Sequence, residues 1–253
     1  MELLMPDGFE SATAAYGYTR TIFEEVASGG RPAVFSISPS VRHVGVTKKD
    51  THRPGFGEAV RLANGEGYPV LVRGAGGGAI AAGAGTFGFS IIRPAGGEDP
   101  RAGIGRRYDE AVSLALAALL RLGVRAEVGE VRDEFCPGDR SLRVGGFEGG
   151  VKLVGIAQRV TRWAASVGGI VLVSGEGELA RVLELFYGAM GLPFRPSSVG
   201  SLRRAGSEAT VREAMDAFAE EAIHRYGAEP VPLDGHTLKK ARSLGSEALV
   251  RPA

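Results

Sequence analysis

The chain has 253 residues, 44% of them apolar, with 30 basic against 29 acidic side chains and a net charge of +1. That length and apolar share suit one large domain or two small ones with a sizeable core and exclude a disordered chain, while the balanced, dispersed charge marks neither a nucleic-acid binder nor an anionic-membrane binder. A single cysteine excludes an intrachain disulfide framework, and the absence of an apolar run near the roughly 18–20 residues of a membrane span, or of a secretory signal in "MELLMPDGFE", points to a cytoplasmic location without membrane contact.

In chain order, "SATAAYGYTRTIFEEVASGG" predicts a helix from Thr13 to Ala27, ended by Ser28-Gly29-Gly30. Two short β segments are expected around Val34 and Val44, a short helix over Gly57 to Asn64, and a strand in "YPVLVRG" that runs into the glycine-rich stretch "VRGAGGGAIAAGAGTFGFS". That stretch reads as a turn between two adjacent strands, the second carrying "TFGFSII", and "RPAGGEDPRAGIG" reads as a loop. "RRYDEAVSLALAALLRLGV" has the strongest helical period, with Val112, Leu116, Leu119 and Leu120 on one face. "RAEVGEV" reads as a strand, and two or three further strands separated by glycine-rich turns follow up to Gly175. Helices are expected over Gly177 to Met190 and Glu208 to Tyr226. Helices at both ends around a β-rich centre predict an α+β fold with a mixed or antiparallel sheet rather than βαβ alternation.

The glycine stretch Gly74-Ala75-Gly76-Gly77-Gly78-Ala79 formally fits a dinucleotide fingerprint. The fingerprint needs a helix directly afterwards, whose N-terminus holds the pyrophosphate, and the few small residues before the next strand leave no room for one. A P-loop fits less well still, because no Gly-Lys-Ser/Thr follows. A ligandless hairpin turn needs one or two glycines; a run of side-chain-free positions suits a surface that a ligand meets through backbone N–H groups. The four histidines, His43, His52, His224 and His236, lack ligand spacing, and no metal site is expected.

Two motifs occur in order: Arg73-x-x-Gly76-Gly77-Gly78-Ala79, and downstream Lys152-x-x-Gly155-Ile156-Ala157-Gln158-Arg159. Together they resemble the lipoate-protein ligase and octanoyltransferase family, related to biotin-protein ligases, over roughly Pro32 to Leu192. The resemblance implies that Arg73, Gly76, Gly77, Gly78, Ala79, Gly155 and Ala157 line a slot for an octanoyl or lipoyl chain and its activated head group, and that Lys152 touches the acyl carbonyl or acyl-adenylate. Val72, Ala75 and Ala82 depart from the family's second Arg, Ser and His, each removing a polar group that could contact an adenylate.

"EFCPGDRSL" resembles the Cys-Pro-Gly segment of the branch that works through a cysteine thioester, with Cys136 as nucleophile. A thiolate attacks a thioester or amide carbonyl more readily than a hydroxyl does, and two half-reactions avoid bringing two carrier proteins together. A nearby Lys152 ammonium would favour the thiolate and stabilise the developing oxyanion. Without the resemblance, Cys136 reads as a buried inert thiol, Lys152 as a solvated strand lysine and Arg73 as half of a surface ion pair.

The expectation is a catalytic domain over residues 1–200 with a short helical extension over 201–253 packed on it. The resemblance implies an acyltransferase that places an octanoyl or lipoyl group on a lysine of a lipoyl-domain protein, such as a 2-oxoacid dehydrogenase subunit or the glycine cleavage carrier. An acyl carrier protein is a possible donor. The alternatives are a lipoate ligase using ATP and Mg, with lipoyl-adenylate held by Lys152 and the glycines, and a non-catalytic homologue that keeps only carrier binding.

Overall fold

A computed structural model of the chain describes residues 1–96, 99 and 101–250. Of the loop expected after Ile92, residues 97, 98 and 100 lie outside the described residues, as do residues 251–253 of the expected extension. The elements run β1 (Glu2–Leu4), α1 (Ala12–Ala27), β2 (Val34–Pro39), β3 (His43–Val46), α2 (Phe56–Gly65), β4 (Val70–Val72), β5 (Ile80–Ala82) and β6 (Thr86–Pro94). There follow α3 (Ile104–Arg121), β7 (Glu127–Val128), β8 (Leu142–Val144), the one-turn α4 (Gly146–Gly149), β9 (Val151–Val160), β10 (Ala164–Leu172), α5 (Glu176–Ala189), α6 (Val211–Tyr226), β11 (Glu229–Pro230) and α7 (Gly235–Gly245).

The large sheet is mixed, in the order β11-β1-β2-β6-β10-β9-β8-β7, with β1 parallel to both neighbours and the rest antiparallel. Period-two alternation assigns its faces. Phe35 and Ile37 of β2, Phe87, Phe89 and Ile91 of β6 and Val167 and Val171 of β10 join Leu114, Ala115 and Leu119 of α3 and Met215 and Phe218 of α6 in the main core. Thr210 and Glu213 form a capping box at the start of α6. Thus α6, which begins after residue 200, contributes to the same core as the helix α3.

The opposite face is covered in two places. Toward β1, helix α1 packs Tyr18, Ile22, Phe23 and Val26 over Val34 and Ile92, and α7 lies so close on α1 that a Cβ at Gly17 would stand 1.8 Å from the Ala241 carbonyl oxygen. Toward β8, a second layer built from β3, β4, β5, α2 and α5 holds its own core around Val44, Val60, Val70, Leu183 and Phe186. Between these two coverings the sheet is left open.

The second layer corrects the expected turn. The glycine stretch joins β4 to β5, but β3 lies between them, parallel to β4 and antiparallel to β5. β4 and β5 are therefore separated by two inter-strand spacings, about 9.5 Å, a gap that a two-residue hairpin turn cannot cross and the tract from Arg73 to Ala79 can. "TFGFSII" belongs to the large sheet, as β6. The chain after α7 returns across the opening: Leu249 pairs antiparallel with Leu71, and the Val250 N–H donates to the Val70 carbonyl oxygen at 2.8 Å.

Candidate functional site

Cys136 stands on the loop between β7 and β8 with a left-handed backbone (φ 44°), as does Asp133 (φ 52°). An L-residue in that conformation is held by its surroundings. The Cys136 N–H donates to the Tyr187 hydroxyl at 2.7 Å, and that hydroxyl donates to the Ala79 carbonyl oxygen at 2.9 Å. Burial pushes the Tyr187 phenol well above its ordinary range, so it stays protonated and serves as both acceptor and donor. One side chain of α5 thereby ties the cysteine loop to the end of the glycine stretch.

Two N–H groups meet the sulfur: the Gly78 backbone N–H at 3.2 Å from Sγ and Arg73 Nη2 at 3.4 Å. Arg73 Nη2 also donates to the Gly78 carbonyl oxygen at 2.7 Å, while the buried Arg73 Nε has no hydrogen-bond partner among the described residues. Arg73 forms no ion pair with a described residue. A cation and a backbone donor aimed at one sulfur suit a thiolate acceptor.

Lys152 occupies a different position from the one expected. Its side chain is 1% exposed, and its Nζ donates to Glu134 Oε1, the Phe135 carbonyl oxygen and the Cys136 carbonyl oxygen, each at 2.9 Å. All three ammonium protons are used, so the expected contact between Lys152 and the Cys136 sulfur is replaced by contacts to the loop backbone beneath it. Glu134 is saturated in turn by the Ser141 hydroxyl at 2.6 Å and the Val131 N–H at 3.0 Å. The cation at the sulfur is Arg73.

The glycines divide into two groups. Gly77, at φ 103°, lies against the thiol: a Cβ there would stand 2.6 Å from Cys136 Sγ and 2.9 Å from Arg73 Nη2. Gly78 passes Cys136 Cα, Gly76 faces open space, and Ala79 is buried in the second core. Gly77 and Gly78 flank Cys136. Gly155 and Ala157, with Gly74 and Ala75, line a cavity of about 720 Å³ that Cys136 and Arg73 also border. Its floor is the uncovered part of the large sheet, where Gly88, Ser90 and Gly168 stand level with Gly155 and Ala157; its roof includes Tyr16, Phe23 and Ile80. Sequence reasoning missed Glu134, Tyr187, Gly88 and Gly168. Glu134 lies two residues before the cysteine, and nothing local marks the others.

His43 also borders the cavity, and its strand position pairs with Ala82, where the family resemblance expects a histidine. Its Nδ1 lies 2.7 Å from the Val41 carbonyl oxygen, and burial, against that hydrogen bond and together with the Arg73 charge, brings its pKa down to about 4. It is neutral at ordinary pH. Arg159 lays its guanidinium 4.1 Å over the Phe23 ring.

A thiol clasped by a backbone N–H and a guanidinium thus stands at the head of a glycine-floored cavity on a mixed sheet. The Lipoyl protein ligase A/B catalytic domain family matches residues 15–223, and the chain belongs to that family. It is 34% identical to octanoyl-[GcvH]:protein N-octanoyltransferase of Geobacillus kaustophilus over 139 residues, 54% of this chain and 47% of that protein. It is 29% identical to the protein of the same name from Bacillus velezensis over 181 residues, 70% of this chain and 60% of that one. The chain thus spans about half to three-fifths of the length of these relatives. A lipoate protein ligase candidate from T. acidophilum, solved with bound lipoic acid, shares the fold at a TM-score of 0.74 and 16% identity, covering 97% of this chain and 95% of that one. No helix among the described residues is long and apolar enough to cross a membrane.

Proposed function

We propose that the chain transfers an octanoyl group between lysines of lipoyl-domain proteins through a thioester on Cys136. The observation that carries this reading is the convergence of the Gly78 N–H and Arg73 on a sulfur that opens into the cavity. In the first half-reaction the thiolate attacks the carbonyl carbon of the octanoyl amide on the donor; the S–C bond forms, the C–N bond breaks, and the departing lysine amine takes up a proton. In the second, the acceptor lysine amine attacks the thioester, C–N forms, C–S breaks, the thiolate returns and the attacking amine gives up a proton. Bonds and protons balance without ATP, because one amide replaces another.

Within this scheme the tetrahedral oxyanion takes the Gly78 N–H as donor, with the Arg73 guanidinium beside it supplying positive charge. Lys152 acts by holding the carbonyls of Phe135 and Cys136, and with them the left-handed cysteine. The donor suggested by the relatives' name is octanoyl-GcvH; the acceptor class is the lipoyl domain of a 2-oxoacid dehydrogenase. Ala75 and Ala82 give this site fewer polar groups for an adenylate than a ligase motif would.

The test is intact-mass spectrometry after incubation with octanoyl-GcvH. A gain of one octanoyl group that Cys136→Ala abolishes, and that a lipoyl domain then discharges, is the expected result. Modification of the lipoyl domain that requires ATP and free octanoate and survives Cys136→Ala would replace the thioester route with a ligase.

A further inference from the structure

Four glycines lie in the middle of the large sheet, and three are explained by its own packing. A Cβ at Gly168 would stand 2.0 Å from the Phe89 carbonyl oxygen, one at Gly169 would stand 2.4 Å from the Gly155 carbonyl oxygen, and one at Gly155 would stand 3.1 Å from Lys152 Cε. Gly88 is different. A Cβ there meets only the Gly169 carbonyl oxygen, at 3.8 Å, and the backbone is not in the left-handed region. The protein's own packing does not require glycine at this position, yet the position borders the cavity.

Its place in the register says what the missing side chain leaves room for. Gly88 pairs with Ile170, which pairs with Gly155; one row along, Ser90, Gly168 and Ala157 align. Cys136 is at the β9 end of this strip, since Lys152 Nζ joins its carbonyl while Lys152 Cε lies beneath Gly155. At the other end, beyond β6, the cavity face of β2 carries Ser38 opposite Gly88 and Ser36 opposite Ser90, and the Ser36 hydroxyl is 2.9 Å from the hydroxyl of the fully buried Tyr18. From β9 to β6 is two strand spacings, about 9.5 Å. An extended eight-carbon acyl chain spans about 8 Å at roughly 3.6 Å per three bonds.

We infer that Gly88 sets the length of acyl chain the cavity accepts, by leaving β6, two strands from the cysteine end, without a side chain in the row of Gly155 and Ile170. This rests on the reading of the cavity as an acyl site. A larger residue at 88 fills the far end and shortens the preferred chain, leaving Cys136, Arg73 and the glycine stretch untouched.

The test measures binding of straight-chain carboxylates from butanoate to dodecanoate by calorimetry, and separately the Cys136 adducts formed from thioesters of the same series. Gly88→Val suits a strand residue and is expected to weaken octanoate by at least about tenfold, at about three displaced methylenes, and to move the optimum to pentanoate or hexanoate. Gly88→Ala is expected to shift the profile partway and guards against a valine variant that does not fold. A wild-type profile without a length preference, or an unchanged profile in both variants, overturns the inference. Shifted carboxylate binding without any Cys136 adduct upholds it while removing the thioester reading; adducts with unshifted lengths do the reverse.

Discussion

Lys152→Met tests whether the buried lysine holds the cysteine loop. The lysine and Glu134 are a pair with side-chain exposures of 1% and 0%. Removing only the lysine leaves a buried carboxylate facing just Ser141 and Val131, which costs about 3–5 kcal/mol, a large part of the roughly 5–15 kcal/mol that holds a typical domain together. Pairing it with Glu134→Gln removes the stranded charge but still leaves the Phe135 and Cys136 carbonyls without their donor, at about 1–3 kcal/mol each. The double variant should therefore be more stable than Lys152→Met alone, with a coupling energy of at least about 2 kcal/mol between the two sites, an expectation from the same buried-charge penalty. Urea unfolding of wild type, both single variants and the double variant supplies the cycle. Additive costs, or a Lys152→Met variant within about 1 kcal/mol of wild type, a loss typical of exposed pairs, would refute the pairing as the lysine's role.

Gly77→Ala should slow Cys136 alkylation by iodoacetamide or its acylation by at least about tenfold, since a methyl group at φ 103° meets both Sγ and Arg73; Gly76→Ala, facing open space, should change the rate by less than about twofold. Tyr187→Phe strands the Cys136 N–H and the Ala79 carbonyl together and should cost about 2–4 kcal/mol in urea unfolding. His43 is held at about 4 when folded, against about 6.5 unfolded. Its contribution is therefore present above pH 6.5 and is lost as pH falls through 4, by about 3 kcal/mol in all; His43→Asn should flatten that part of the stability profile, measured by denaturant unfolding across the range.

The helices were legible because their signals are local. The period of α3 and the glycines after α1 place both within a few residues of their observed ends. Cys136 and Arg73 were legible through short motifs, and their meeting at Sγ follows from the fold that those motifs accompany. What escaped depends on residues far apart in sequence. β3 between β4 and β5 leaves no local trace, because a strand's partners are chosen by the sheet and not by the strand. Tyr187 reaches Cys136 across 51 positions, and its heptad neighbours on α5 make it read as one more apolar-face residue. The family motif implies Lys152 at the acyl carbonyl and near the thiol; only the buried Glu134 and the two carbonyls, which no short motif announces, explain an ammonium with no exposure. Two-residue strands such as β7 and β11 are too short to carry alternation.

The pairing of Leu249 with Leu71 bears on how the protein is handled. β4 is the outer strand of the three-stranded layer, and the returning chain occupies its free side. Trimming the protein back to the end of α7 would uncover that rim and offer it to a second molecule, so shortened versions should self-associate through β4.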